Sequence, residues 1–310
     1  MNTINTPTTR IAGEYTLATY KEDGTLVRKV GPFKNLITDI GLDMIGNGAG
    51  VDFYGTPYIC PRCHVGTGNT TPVNADTTLE TWLAQSGSID GISGTATYTA
   101  GPPKTTHKSR TYTFGVGVAT GSISEIGTGN AYSVNGNYLF SHALILDGNN
   151  NPTVLVVAAD ELLKVTYTIT AYIPAAPTAQ TFTIASITYT VTWYMYPDST
   201  PGTTLPWVYP PDPWGSYRDR GGAIADSGAP SLSWDGWSTY FDQSYSYVIG
   251  SHYRDWSGTS PVNSGANRTI TAVNITSPHV IMIGVFSPHV PVATGQKVDI
   301  SIRTAWGRYP

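Results

Sequence analysis

The chain has 310 residues, of which 17 are Lys or Arg and 21 are Asp or Glu, giving a formal net charge of -4. A weakly acidic chain without a long basic run lacks the electrostatic footprint of a nucleic-acid-binding protein, so we expect no nucleic-acid partner. Charged residues make up only 12% of the sequence, about half the usual share. This composition favours short strands, many turns, and polar but uncharged surfaces that become buried between subunits.

The first residues show neither the basic nor the apolar region of a signal peptide, and no apolar run reaches the length of a membrane span. We therefore expect a protein that is made in a cytoplasm and has no membrane span. Two cysteines in a reducing compartment do not indicate a disulfide framework.

The N-terminal segment predicts a β-hairpin followed by a short helix. Between Gly13 and Val30, apolar residues alternate with smaller or polar ones, and Asp23-Gly24 supplies the turn. Leu36, Ile40 and Met44 then recur every four residues, which places them on one face of a helix that the following glycines end.

A second short helix is predicted over residues 76–83, because Thr77 and Glu80 have the spacing of a capping box. From Thr95 onward, β-branched and aromatic residues between Gly, Asn and Asp clusters predict strands. These predicted strands are Thr111–Phe114, Ser122–Ile126, Tyr138–Leu146, Thr153–Val157, Leu162–Tyr172, Phe182–Ile187, Thr188–Tyr196, Thr269–Thr276, Val280–Phe286 and Lys297–Arg303.

The composition changes near residue 175, where Pro174-Ala175-Ala176-Pro177 precedes a region rich in Pro, Gly, Tyr and Trp. We place a boundary there, with a β-rich domain over residues 1–175 and a β-rich domain or insertion with long loops over 176–310. The C-terminal strands could equally return to the first sheet, which would make the middle an insertion. The expected fold is mainly β, with sandwich- or barrel-like antiparallel sheets, two short N-terminal helices and long aromatic-rich loops.

The order of the N-terminal elements resembles a pattern met in bacteriophage tail and fibre-associated proteins. Five segments within about the first 175 residues carry the resemblance: Gly31–Leu42, Val65–Gly68, Asp76–Leu79, Tyr138–Leu144 and Asp160–Tyr167. The resemblance implies a virion-assembly domain and a structural tail component without catalysis, present in several copies. It implies a place in the tail tip, the baseplate or the fibre-attachment region of a virion assembled in the host cytoplasm. The expected partners are other tail proteins and further copies of this chain, with a trimer favoured.

Cys60-Pro61-Arg62-Cys63-His64 matches the C-x-x-C-H signature of c-type haem attachment. Haem attachment requires an exported chain, so we expect no haem and no other cofactor. Cys60, Cys63 and His64 could also hold three of the four positions around zinc. The simpler interpretation is a loop with free or paired thiols.

Ser277-Pro278-His279-Val280 recurs as Ser287-Pro288-His289-Val290. If a trimer axis gathered His279 or His289 from three chains, the imidazoles could hold an ion. The simpler interpretation is that Ser-Pro begins each strand, because proline has no ladder donor to lose there.

Eight aromatic residues stand among Asp, Asn and Arg in the region after residue 195. Their amphipathic character suits the docking of a host-surface glycan or protein, and it equally suits self-packing and subunit contact. The eight are Trp207, Tyr209, Trp214, Tyr217, Trp234, Trp237, Tyr240 and Tyr253.

Motifs of catalysis are missing from the sequence: there is no G-x-S-x-G, no P-loop and no G-x-G-x-x-G. Ser251, His252 and Asp255 are too close in sequence to form a triad without a supporting fold. A depolymerase would need two carboxylates at glycosidase separation, and no motif singles out such a pair. We expect the protein not to be an enzyme.

Overall fold

The computed structural model describes residues 3–47, 60–86, 88–99, 103–130, 136, 138–174, 177–197, 212–218, 242–259, 268–277 and 280–310. The fold is mainly β, as the sequence predicts, and these residues contain a single α-helix. That nine-residue helix is the longest in the described ranges, and none there is long and apolar enough to cross a membrane.

The described residues of the N-terminal part form twelve strands and the helix. They are β1 (Thr3–Asn5), β2 (Thr9–Lys21), β3 (Leu26–Ile37), α1 (Asp39–Asn47), β4 (Arg62–Gly66), β5 (Trp82–Gln85), β6 (Ser88–Thr99), β7 (Lys104–Phe114), β8 (Gly121–Ile123), β9 (Glu125–Gly129), β10 (Leu139–Leu144), β11 (Leu155–Val157) and β12 (Glu161–Ile173).

After residue 177 the described ranges hold eight further strands. They are β13 (Thr178–Ile184), β14 (Ile187–Pro197), β15 (Asp212–Arg218), β16 (Asp242–Tyr247), β17 (Tyr253–Thr259), β18 (Arg268–Ser277), β19 (Val280–Val292) and β20 (Asp299–Arg308).

Two antiparallel layers enclose the main core. One layer has the order β3-β2-β12-β7-β6, the other has the order β10-β9-β4-β5, and β3 joins them by pairing with both β2 and β10. Alternate residues of β12 are buried along its whole length, which is the period-two pattern of a strand with one face on a core. Between the layers, the Tyr15 hydroxyl lies 2.6 Å from Ser141 Oγ and 3.2 Å from Thr128 Oγ1. The predicted N-terminal hairpin is confirmed as β2 and β3.

A second core lies between the sheet β13-β14-β19-β18-β15 and the strands β1, β17 and β20. Trp193, Trp256, Phe286 and Ile302 are buried in it. The last strand, β20, runs parallel to β1 and to the start of β2. The C-terminal strand therefore lies in the same sheet as the N-terminal hairpin, which is the return that the sequence left open.

The predicted second helix does not form. Residues 76–81 are bends and irregular backbone, and β5 follows from Trp82. Thr77 and Glu80 keep their capping-box spacing, but the Glu80 carboxylate instead accepts hydrogen bonds from the main-chain N–H groups of Asn69 and Thr70, each 2.8 Å long. Tertiary hydrogen bonds to the preceding turn outweigh the local helix signal.

The described parts of the aromatic-rich region contain the strands β15, β16 and β17, where the sequence predicted long loops. β16 and β17 form a hairpin, and β17 pairs with β20. Arg254 and Trp256 are buried while Ser257 between Trp256 and Gly258 is exposed, so the strand does alternate. The sequence does not show this alternation as an apolar pattern, because the buried positions include an arginine and a glycine. Residues 198–211 and 219–241 lie outside the described residues.

Candidate functional site

Three charged side chains, two of them buried, form a polar cluster on the outer face of the β9–β10 pair. They are Asp76, Glu125 and His142, which we call the ion cluster. Glu125 lies on β9 and His142 on β10, where their sequence neighbours Ile126 and Ala143 are paired and point into the main core. Since successive strand residues point to opposite faces, Glu125 and His142 point to the outer face of this sheet. Residues 67–81, here the covering loop, lie over that face.

The imidazole of His142 lies between the two carboxylates. Its Nδ1 is 2.7 Å from Asp76 Oδ2, and its Nε2 is 3.1 Å from Glu125 Oε2. The side chain of His142 is only 4% exposed and that of Glu125 only 1%. An imidazolium can donate to both carboxylates at once, whereas a neutral ring has one N–H, so this geometry fits the charged form.

Glu125 accepts hydrogen bonds from three main-chain N–H groups of the covering loop. Its Oε1 accepts from Gly68 at 3.0 Å and from Thr81 at 2.8 Å, and its Oε2 accepts from Glu80 at 3.0 Å. With His142, four donors surround one carboxylate. The two ends of the covering loop are thereby tied to β9.

Asp76 holds the middle of the covering loop in the same manner. Its Oδ2 accepts from the Val73 main-chain N–H at 2.9 Å as well as bonding to His142. The ion cluster thus joins a loop to a sheet through charge-assisted hydrogen bonds, which are stronger than neutral ones.

The surroundings shift the pKa values of the two buried members in opposite directions. Burial alone would lower the pKa of His142, but hydrogen bonds to Glu125 and Asp76 outweigh it, and the pKa of His142 is raised. Burial alone would raise the pKa of Glu125, but the hydrogen bonds from His142, Thr81, Glu80 and Gly68 outweigh it, and the pKa of Glu125 is lowered. Both shifts stabilise the ion pair at neutral pH.

An apolar and aromatic patch continues the contact between the covering loop and the sheet. Leu79 and Tyr138 are buried there, with Trp82 packed against them, and the Tyr138 hydroxyl accepts from the Leu79 main-chain N–H at 3.1 Å.

The His64 ring lies 4.6 Å from the Tyr138 ring, centroid to centroid. Trp82 Nε1 donates to His64 Nδ1, so His64 Nε2 carries the proton and donates to the Asn130 carbonyl at 2.7 Å. Burial lowers the pKa of His64 to about 4, which keeps the ring neutral.

Glycines on the sheet make room for these contacts, and Gly129 is the most tightly enclosed. A Cβ on Gly129 would lie 1.6 Å from the Tyr138 carbonyl oxygen, a main-chain atom that no side-chain rotation can move. We expect Gly129→Ala to lower the free energy of unfolding by about 1–3 kcal/mol, as overpacking does. Gly148→Ala is the matched control, because nothing lies within 4 Å of its added Cβ. Equal stabilities of the two variants in urea denaturation would contradict this account.

The members of the ion cluster direct their polar atoms at one another and at main-chain donors. Such a closed arrangement suits a structural latch, since a substrate would have to displace the covering loop to reach it.

Sequence reasoning pointed to the segments that contain Asp76 and His142 but missed Glu125. The available signal was an acidic residue between Ile123 and Ile126 in a predicted strand, where a buried charge requires a partner.

The structure places Cys60 and Cys63 in the main core and His64 on the opposite face of β4. The Cys60 carbonyl accepts from Arg110 Nη1 at 2.7 Å and from the Tyr112 hydroxyl at 2.6 Å. The His64 ring is therefore separated from the Cys63 thiol by the strand itself. Among the described residues, no three His, Cys, Asp or Glu side chains form a group that could hold a metal ion.

Both thiols should be unreactive in the folded protein. They are fully buried, and burial raises the pKa of Cys60 to about 12 and the pKa of Cys63 above its ordinary value. We expect no labelling by a thiol-specific reagent at mildly alkaline pH, and labelling of both cysteines once denaturant is added. Rapid labelling of the native chain would show that the segment opens, and zinc found by metal analysis of the same sample would support the metal hypothesis.

The other predicted site residues that the structure describes lie apart from the ion cluster. His289 is exposed within β19, at an irregularity where Val285 and Val290 oppose Ala272 and Ile270 of β18. Ser287-Pro288 thus lies inside a strand, where the sequence suggested a strand beginning. His279 lies outside the described residues.

Of the eight aromatic residues predicted as contacts, Tyr253 lies on β17 and has the Arg303 guanidinium 3.7 Å above its ring. That face of the ring is already covered. Trp214 and Tyr217 belong to β15. Five lie outside the described residues: Trp207, Tyr209, Trp234, Trp237 and Tyr240.

Ser251, His252 and Asp255 do not converge. Asp255 forms a two-pronged salt bridge with Arg303, at 2.6 and 2.7 Å. Among the described ion pairs, His252 Nε2 lies 4.0 Å from Asp43 Oδ1. Asp43 also accepts hydrogen bonds from the Tyr247 hydroxyl and the Gly250 N–H, so it docks α1 on the β16–β17 hairpin.

An apolar cleft of about 410 Å³ opens at the edge of the second core. Most of its lining residues are aliphatic or aromatic, and Asp299 is the one charged residue among them. The lining residues are Ile4, Phe182, Thr183, Ile184, Ile270, Phe286, Val290, Val298, Asp299, Ile300 and Ser301.

Comparison with known proteins gave no relative: no family model, no curated protein and no solved structure matches the chain.

Proposed function

We propose that this protein is a structural component of a bacteriophage tail, in the tail tip, the baseplate or the fibre-attachment region, where it joins tail components through subunit contacts. It acts by holding surfaces together and not by catalysis. Its working state is an oligomer within the virion.

One observation carries the proposal. Three of the segments on which the resemblance to tail and fibre-associated proteins rests meet in a single structural unit. Gly68, Asp76 and His142 come from these three segments: the Gly68 N–H bonds to Glu125 of the ion cluster, and Asp76 and His142 are themselves members of it. The shared motifs therefore specify a loop fastened to a sheet. Such a latch suits a rigid building block, since it keeps the covering loop in place when subunits press against it.

The composition supports the same proposal. Low charge together with many Tyr, Trp and Thr residues favours surfaces that neighbouring subunits bury. The side chains of Val116, Val118, Val154 and Val156 are each 44–50% exposed, and exposed apolar side chains of this kind become buried when subunits meet.

The proposal is tested by locating the chain in purified particles. Antibodies against this protein, bound to intact phage and viewed by electron microscopy, should label one end of the tail. Mass spectrometry of the same particles should give several copies per virion. Absence of the chain from particles, or label on the head, would contradict the proposal.

A further inference from the structure

Residues 68–73 of the covering loop, which we call the flap, are held by carboxylates. Four of their main-chain N–H groups donate to the side chain of an acidic residue, over distances of 2.8–3.0 Å. The bonds run from Gly68 to Glu125, from Asn69 and Thr70 to Glu80, and from Val73 to Asp76. Since carboxylates take up protons and main-chain carbonyls do not, the hold on the flap depends on pH.

Two further hydrogen bonds to the flap involve no carboxylate. Ser124 Oγ donates to the Gly68 carbonyl at 2.7 Å, and the Asp76 N–H donates to the Val73 carbonyl at 3.0 Å. Apolar burial adds little, because Gly68 is the one buried residue from 68 to 73. A segment with few buried apolar contacts opens at a lower cost than the core does. The carboxylates therefore contribute most of what keeps the flap closed.

The sheet beneath the flap is held in a different way. β9 pairs through its main chain with β10 on one side and with β4 on the other. Ile126 of β9 and Val65 of β4 are buried in the main core. Neither main-chain pairing nor apolar contact is lost when carboxylates are protonated, so the flap can open while the sheet stays folded.

We propose that the flap is an acid-released segment, closed while Asp76, Glu80 and Glu125 are ionised and open when they are protonated, with both β layers still folded. Protonation removes the negative charge that strengthens these bonds and turns one oxygen of each group into a donor. Opening exposes Glu125 and the outer face of β9 to solvent.

The pKa values of two of these carboxyls give the direction of the pH dependence. The hydrogen bonds from Thr70 and Asn69 lower the pKa of Glu80. Burial alone would raise the pKa of Glu125, but the hydrogen bonds that it accepts outweigh burial and lower it. Such a group stabilises the fold above its ordinary pKa of 4.5, and its contribution is lost as the pH falls through the folded value. The flap should therefore be closed at neutral pH and be released below pH 4.5.

His142 favours release of the flap in acid. Burial alone would lower its pKa, but the bonds to Glu125 and Asp76 raise it, so the imidazole stays charged where the carboxyls become neutral. Its side chain is only 4% exposed, and a buried charge that has lost its counter-ions is strongly destabilising. Water that enters through the open flap relieves this cost.

The other charged and titratable groups around His142 do not replace those counter-ions. His64 lies in the same row across β9, and burial lowers its pKa to about 4, so in acid it adds a second positive charge. Arg62, also on β4, is positive throughout. Asp39 of α1, whose N–H donates to the Asn74 carbonyl, is paired with Arg308.

The inference goes beyond the proposed function, because release of the flap is a property of the purified chain whether or not it belongs to a phage. Locating the chain in particles tests the function. Hydrogen exchange of the purified chain tests the flap, so the two can fail separately.

The test follows hydrogen exchange of the purified full chain by mass spectrometry at single-residue resolution, from about pH 7 to about pH 3. Protection factors, which correct for the intrinsic effect of pH on exchange, should fall at least about tenfold at residues 68, 69, 70 and 73. The N–H groups of β12, which pair with the main chains of β2 and β7, should keep their protection.

Glu80→Ala separates release of the flap from general acid unfolding, because it removes one acceptor at neutral pH from an exposed position. Residues 69 and 70 should lose protection at least about tenfold at pH 7, and acid should then cause little further loss at them. Asp147→Ala is the matched control, since Asp147 Oδ1 likewise accepts from two main-chain N–H groups, those of Asn149 and Asn151, in an exposed turn. It should leave the flap unchanged.

Three results would overturn the proposal. The first is a flap without protection at pH 7, or one that keeps its protection at pH 3. The second is loss of protection in β12 at the same pH as in the flap. The third is unchanged protection of residues 69 and 70 in Glu80→Ala.

Discussion

Replacing Glu125 with Gln should lower the free energy of unfolding by about 3–5 kcal/mol, the range for removing one partner of a buried ion pair. The carboxylate accepts hydrogen bonds from His142 and from the N–H groups of Gly68, Glu80 and Thr81. A carboxamide can accept at only one end, so its NH₂ group would face donors that have lost their acceptor. Unsatisfied donors at a site that is 1% exposed pay the full cost of desolvation.

Urea denaturation followed by tryptophan fluorescence measures this loss. Glu22→Gln makes the same chemical change at the exposed turn between β2 and β3, and it should alter stability by less than about 0.5 kcal/mol. Hydrogen exchange should locate the damage at the main-chain N–H groups of residues 68, 80 and 81. If Glu125→Gln is as stable as the control, the ion cluster does not hold the covering loop.

Local patterns predicted the mainly β fold and the strands with one strictly buried face, because such a strand repeats every two residues. β12 alternates strictly between buried and less buried residues, and its sequence shows the same alternation. The prediction of the second helix was wrong because contacts outside the segment decide its structure. A capping box and an acidic turn use the same residue types, and only the folded chain shows that Asp76 and Glu80 bond to the turn preceding them.

The ion cluster was predictable in part. The resemblance drew attention to the segments of Asp76 and His142, but the identity of their partner depends on strand register. Gly127 is paired with both His142 and His64, and Glu125 lies two residues further along the same face of β9. No local spacing encodes that arrangement, because β4, β9 and β10 come from three separate parts of the chain.

The stability of the wild type should fall as the pH rises above about 6.5 because of His142. The folded-state pKa of His142 is raised above its ordinary 6.5, so its contribution is fully present below pH 6.5 and is lost as the pH rises through the folded value. Deprotonation leaves one N–H between two carboxylates, and one of the two contacts becomes repulsive. On the acid side, the lowered pKa of Glu125 means that its contribution is present above pH 4.5 and is lost as the pH falls through the folded value.

His64 should act with the opposite sign, although it lies in the same row of the sheet as His142. Its folded-state pKa is lowered to about 4 from 6.5, so its contribution is present above pH 6.5 and is lost as the pH falls toward 4. As the pH rises, the contribution of His142 to the free energy of unfolding therefore falls, whereas that of His64 increases. The difference comes from their partners, which are carboxylates for His142 and a carbonyl and an indole N–H for His64.

Comparing three proteins separates the two contributions. The free energy of unfolding should be measured from about pH 4 to pH 9 for the wild type, His142→Gln and His64→Gln. Relative to the wild type, His142→Gln should lose the decline on the alkaline side, and His64→Gln should lose the decline between pH 6.5 and 4. Proton NMR of the two imidazoles should show His64 still neutral at a pH where His142 is charged. If the wild type and His142→Gln give parallel curves above pH 6.5, then His142 is not charged in the fold, and the latch depends on the main-chain bonds of Glu125 alone.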